Sequence, residues 1–193
     1  MGIVQGKTQF HWNYFLALES DIKNLSRYVE FCEENWQTYS IEIAHIMLSV
    51  CSEIDVFSKM ICSEIGCTPC ENMRDFREAL NPKFSEISNM QVMMPQYGLT
   101  FQPWQNWSQN KKPDWWQAYQ DVKHNRDLEY PKANLKNLLN AISGLFVLLI
   151  VYYKRVQNLR LIEPIPQLLE VEGSIAYIDI LLSGGRQKVI LNP

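Results

Sequence analysis

Between Ser40 and Ile65 the apolar residues Ile43, Met47, Val50, Ile54, Phe57 and Ile61 return every three or four positions, and Ala44, Leu48 and Cys51 widen the stripe. A strand alternates every second residue and a loop has no period, so this spacing predicts a helix that buries a broad face. Leu135, Leu138, Ile142, Leu145, Leu149, Tyr152 and Val156 repeat the period and predict a long last helix. Such faces need apolar partners. Phe15, Leu18, Ile22, Leu25, Val29 and Cys32 supply one on a first helix, and Trp115, Tyr119 and Val122 supply another. The expected fold is mainly α, an antiparallel helical bundle.

Local signals place the breaks. Gly66 should end the second helix. Thr68-Pro69-Cys70-Glu71 matches a capping box, opening a short helix that buries Met73, Phe76 and Leu80 and stops at Asn81-Pro82. From Pro82 to Pro113 no helical period persists. Pro95, Gly98, Pro103 and Pro113 punctuate Tyr97, Phe101, Trp104 and Trp107, which reads as a long aromatic loop with an extended segment from Leu99 to Gln102. Asp114 should cap the Trp115 helix. Beyond Pro164 and Pro166, Ile175 to Leu182, a Gly184-Gly185 turn and Lys188 to Leu191 read as a small C-terminal β-hairpin. The chain is then one domain over 1–193, with the bundle at 10–157 and the extension at 164–193.

A content of 47% hydrophobic and 12% aromatic residues supports a sizeable core. The formal net charge of -3 gives no global pull towards phosphate backbones or anionic membranes, so any nucleic-acid contact must be local. The opening residues lack the pattern of a secretory signal, and the expected location is the cytoplasm. Leu145 to Tyr153, the longest strongly apolar stretch, is well short of the roughly 20 residues that cross a bilayer, and reads as core helix with no membrane role. Five Cys, an odd number, argue for reduced thiols.

The segment from Trp115 to Arg126 concentrates two Trp, a Tyr, a His and several charges. On a continuous helix Arg126 lies four residues beyond Val122 and extends the inner stripe, so it calls for a buried partner, for which Asp55 or Glu53 on the second helix is placed. His124 lies three beyond Asp121 and shares another face. One reading is a buried ion pair that fixes helix register, with His124 at the surface beside Asp121. The other is a cleft in which His124 acts as acid or base, Arg126 holds an anion such as a phosphate, and Lys123, Asn125 and Tyr119 contact the substrate, supported by Glu53, Asp55 and Asp121.

Cys62-x4-Cys67-x2-Cys70 has thiols for zinc or exchange, but a tetrahedral site needs a fourth ligand, and His11, His45 and His124 occupy distant segments. Small buried thiols at a helix junction are the expectation, with no metal and no cofactor. Lys111 and Lys112 beside Trp104 and Trp107 could meet phosphates while the rings stack on bases, although packing over the bundle is the commoner use of such rings. No Gly-rich phosphate loop or nucleophile elbow is present.

Tyr14-Phe15-Leu16-Ala17-Leu18-Glu19, Arg27-Tyr28-Val29-Glu30-Phe31, Ser52-Glu53-Ile54-Asp55-Val56, Gln102-Pro103-Trp104, the Trp115 to Arg126 segment and the final apolar helix together resemble a HEPN-like family of small bacterial proteins over residues 10 to 157. The resemblance implies a helical bundle, a homodimer, RNA or nucleotide as ligand, and metal-independent ribonuclease activity of a defence or toxin type. The family's motif places a His four to six residues after an Arg. Here Arg126 is followed by Asp127, positions 130 to 132 are Tyr130, Pro131 and Lys132, and His124 instead precedes the Arg. That departure leaves a non-catalytic interaction or dimerisation module as the alternative.

Overall fold

The computed structural model describes residues 9–67, 69–159, 161–171, 176–179 and 188–191. Six α-helices dominate it: α1 Phe10–Leu25, α2 Ile41–Glu64, α3 Met73–Leu80, α4 Asp114–His124, α5 Arg126–Glu129 and α6 Leu135–Val151. A π-helical turn, Tyr152–Val156, continues α6. The predicted stripes are buried except at Val29, Cys32, Leu48 and Val156, which are half-buried. Helix α6 is apolar almost all round and lies at the centre, most extensively against α2, with α1 and α4 on other sides. Phe15 of α1 stacks on Phe146 of α6 with ring centroids 5.2 Å apart. The span Leu135–Val156 is long and apolar enough to cross a membrane, but 83% of its most apolar window is buried within the fold, which is the setting of a core helix.

Helix ends follow local chemistry. Ser40 accepts the Ile43 amide at 3.1 Å and starts α2. Gly66, at φ 73, ends it, and the Cys67 amide returns to the Cys62 carbonyl at 2.8 Å, a Schellman closure. Asn134 starts α6 by accepting the Asn137 amide at 3.0 Å.

Three boundaries differ from expectation. Helix α1 begins at Phe10 and stops at Leu25, where the Tyr28 and Val29 amides both turn back to the Leu25 carbonyl, so Val29 and Cys32 lie beyond it. Thr68 is outside the described residues. Helix α3 is capped instead by Asn72, which accepts the Arg74 and Asp75 amides, while Asp75 accepts the Glu71 amide at 2.9 Å. An Asn and an Asp three apart thus do the work expected of Thr68 and Glu71. Asp114 is the first helical residue rather than the cap, and its carboxylate accepts from the Asn106 side chain at 3.2 Å.

The aromatic loop is folded inward. Strands β1 Val92–Met94 and β2 Leu99–Phe101 pair antiparallel, and Gly98 at φ 64 makes the turn, so the extended segment near Leu99 is an edge of a small sheet. Trp104 is fully buried and donates to the Gly144 carbonyl of α6 at 3.0 Å, while Trp115 donates to the Pro103 carbonyl at 2.8 Å. The indoles of Trp104 and Trp115 therefore pack the core with their N–H groups satisfied, whereas the buried Trp107 N–H has no partner among the described residues.

Strands β3 Leu161–Ile162, β4 Glu170–Val171, β5 Ala176–Asp179 and β6 Lys188–Leu191 complete the chain. β5 and β6 pair antiparallel as the arms of the expected hairpin, whose Gly184-Gly185 turn lies outside the described residues. β4 adds to β1, giving a sheet ordered β2-β1-β4, so the extension is joined to the bundle. Buried Glu19 of α1 reinforces the join by accepting the amides of Gln167, Leu168 and Leu169 at 2.8, 2.8 and 3.1 Å.

Candidate functional site

Helix α4 breaks at Asn125, whose φ of -136° and ψ of 49° are not helical. The break turns Arg126 out of the α4 stripe, so the expected buried pair with Asp55 or Glu53 does not form and Arg126 is exposed. The carboxylates have other partners. Glu53 meets His11 Nδ1 at 2.6 Å, joining α1 to α2. Asp55 holds Lys59 at 2.6 Å, one turn along α2. Asp121 accepts from Lys132 at 2.7 Å and from Gln117, and the Lys132 hydrogen bond, ahead of the others, lowers its carboxyl below the usual range. Asp121 therefore does not orient His124, and among the described residues no carboxylate forms an ion pair with it.

His124, Asn125, Arg126, Asp127 and Leu128 line an open notch of about 470 Å³ together with Lys123. His124 and Arg126 are both exposed there, one on the last residue of α4 and the other on the first of α5. The sequence cluster is thus gathered in one accessible place. Asn125 lies in it, whereas Tyr119 sits a turn below Lys123, whose ammonium lies 5.5 Å from the Tyr119 ring centroid.

A larger groove of about 770 Å³ adjoins the notch and shares Lys123 with it. Helix α4 forms its floor through Trp116, Tyr119, Gln120 and Lys123, which fall on one helical face. One wall comes from Asp55 and Lys59 of α2 and from Glu71 to Arg77 at the start of α3, and the rim beyond is Asn110, Lys111 and Lys112. The lining carries six cations, Lys59, Arg74, Arg77, Lys111, Lys112 and Lys123, against two carboxylates, Asp55 and Glu71. Lys59 is held by Asp55, and Arg74 and Arg77 both pair with Glu78, but Lys111, Lys112 and Lys123 form no ion pair among the described residues. On a chain of net charge -3 this is a concentrated positive field.

The floor is apolar beneath and polar above. Trp116 and Tyr119 are each 4% exposed, so their rings support the groove without offering a stacking face. Burial raises the Tyr119 hydroxyl above its ordinary pKa, against the opposing pull of Lys123. The groove was partly legible in sequence. Trp116, Tyr119 and Lys123 are spaced by three and four, the steps of one helical face. Lys59, Arg74 and Arg77 carry no such signal, because only the α2–α3 turn brings them opposite α4.

Cys62, Cys67 and Cys70 gather at that turn as free thiols, with Cys70 Sγ 3.0 Å from the Cys67 carbonyl. Burial pushes the Cys62 thiol far up, and no group of three or more His, Cys, Asp or Glu able to hold a metal exists among the described residues. Cys62 is buried in the core, whereas Cys67 and Cys70 are half-buried. No protein-family model, curated protein or solved structure matches the chain.

Proposed function

We propose that this protein binds RNA or a nucleotide through phosphate contacts in the groove along α4, and that His124 and Arg126 at its end act on the bound phosphodiester. The observation that carries the reading is the six-to-two excess of cations around an open groove on an acidic chain. Lys and Arg so placed release counterions from a phosphate backbone, which is the main source of such affinity. Arg77 and Arg74 add planar donors suited to phosphate oxygens.

The cleavage step would use protein groups and one water, whose hydroxide then takes the proton held by His124. A ribose 2′-hydroxyl attacks the adjacent phosphorus, its proton passes to His124, the bond to the 5′-oxygen breaks, and that oxygen takes a proton from water. Arg126 and Lys123 offset the charge that builds on the phosphorane. The products are a 2′,3′-cyclic phosphate and a 5′-hydroxyl. Binding is tested by fluorescence anisotropy with labelled RNA in low salt, and cleavage by gel analysis with wild type and His124→Ala. No binding at low salt sinks the whole reading, whereas binding with identical wild-type and variant cleavage sinks only the role of His124.

A second reading, a dimerisation module without catalysis, is favoured by an apolar surface that adjoins the notch and shares Arg126 and Asp127 with it. Ile41 and Leu128 are 78% and 84% exposed beside a recess of about 540 Å³ lined by Ile41, Ala44, Leu48, Arg126, Asp127 and Tyr130. Light scattering across protein concentration, with Ile41→Glu and Leu128→Glu as controls, decides it. A homodimer lost in both variants supports it, and a monomer at every concentration removes it.

A further inference from the structure

We infer that the groove and the His124 notch form one track for an extended single strand of nucleic acid, lying along α4 and passing at its exit between His124 and Arg126. The inference rests on the RNA-binding reading above and specifies the ligand's form.

The geometry points to a linear ligand. The groove residues of α4 occur from its first turn to its last on one face, at Trp116, Tyr119, Gln120 and Lys123. Cations stand at both ends of that face: Lys111 and Lys112 before the helix, Lys123 on its last turn, and Arg126 just past the break. Lys123 borders both recesses, so a chain leaving the groove over it enters the notch. The eleven residues of α4 rise about 16 Å. At the ~3.4 Å per nucleotide of a stacked strand, that length accommodates at most about five nucleotides, and fewer where the strand is drawn out. A mononucleotide would meet cations at one end only.

The lining also distinguishes a nucleic-acid strand from an acidic peptide. Met73, Trp116 and Tyr119, the large apolar groups of the groove, are 5%, 4% and 4% exposed, which leaves no apolar recess to seat peptide side chains. Apart from the carboxylates of Asp55 and Glu71, what remains accessible is cationic, or is the amide of Asn72, Asn110 or Gln120, which donates and accepts as ribose and base edges require. With the aromatic faces sealed, bases gain little from stacking, so the track reads backbone and not sequence.

The test is a length series of oligouridylates, with uridine monophosphate at the short end, measured by competition against a labelled strand of about ten nucleotides. Affinity should climb at least tenfold between one and about five nucleotides and then rise only slowly. Arg126→Glu should weaken the ten-nucleotide strand at least threefold more than it weakens a strand of about three nucleotides. Oligoadenylate should match oligouridylate within about threefold, and polyglutamate of equal charge should compete poorly. A monophosphate that binds as tightly as the longer strands, an Arg126→Glu effect equal at all lengths, or polyglutamate competing as well as RNA each overturns the track. Loss of all binding, by contrast, overturns the RNA-binding reading on which it rests.

Discussion

Arg77 of α3 donates through its guanidinium to the backbone carbonyl of Asn110, a residue in the left-handed region at φ 58. The contact crosses the wall of the groove and holds the turn that presents Lys111 and Lys112. Arg77 is only 15% exposed, so its charge is fixed in place and not swept through solvent. Arg77→Lys keeps the charge but loses the planar fork, and a single ammonium cannot grip both the carbonyl and a phosphate. RNA affinity should fall about three- to tenfold with thermal stability nearly unchanged, read by anisotropy and by calorimetry. Unaltered affinity would show that the Asn110 turn needs no clasp.

His124 is the one imidazole at the notch, and it has no carboxylate to orient it among the described residues. Its contribution to cleavage should be that of an unaided acid or base, so His124→Ala should reduce the rate about 10²-fold while binding changes little. Rate and affinity measured on the same preparation separate the two.

Glu19 is buried and serves three amides of the C-terminal segment. Glu19→Ala strands those donors, and at about 1 kcal/mol or more for each the loss should be about 3 kcal/mol in urea unfolding. The segment near Leu168 should also become a site of protease cleavage in the variant.

The same carboxyl makes a pH prediction. Burial, ahead of the amide bonds from Gln167, Leu168 and Leu169 that oppose it, raises its pKa above the ordinary value. The folded state therefore holds this proton more tightly than the unfolded chain. The contribution is fully present below the unfolded carboxyl pKa of about 4.3 and is lost as pH rises through the higher folded value. The stability of wild type relative to Glu19→Gln should accordingly decline from about pH 4 towards neutrality, and a difference that grows instead would contradict the raised value.

Gly144 sits where α6 passes beneath the indoles. A Cβ there would lie 3.0 Å from Trp115 Cζ2 and 3.5 Å from Trp104 Cε2, and both rings are held by hydrogen bonds to backbone carbonyls. Alanine would gain about 1 kcal/mol of helix propensity, but the overpacking costs about 1–3 kcal/mol. Gly144→Ala should therefore be destabilising by up to about 2 kcal/mol, with a shift in tryptophan fluorescence.

The parts of the fold readable in sequence are those where burial imposes a period. The stripes of α2 and α6 run long enough to state both type and facing, and Ser40 and Gly66 mark the two ends of α2 with side-chain and backbone chemistry. Arg126 was misplaced because the helical period was carried across Asn125, where neither Gly nor Pro announces a break. The β1–β4 pairing and the Glu19 cluster join residues too far apart for any local pattern to reveal. At the site, the face of α4 was legible and its opposite wall was not. Arg74 and Arg77 reach the groove only through the turn at Gly66, and the partners of Glu53 and Asp55 are set by packing.

The central claim is that phosphate contacts in the α4 groove bind RNA, and the most direct test is the salt dependence of that binding in wild type and in the Lys112→Glu/Lys123→Glu double variant. With about four contacts engaged, log affinity should fall against log salt with a slope of about -3 for a single strand, and the double variant should be shallower by about 1.4 while folding normally. An RNA affinity that is absent at low salt, or a slope that the double variant leaves unchanged, would contradict the account.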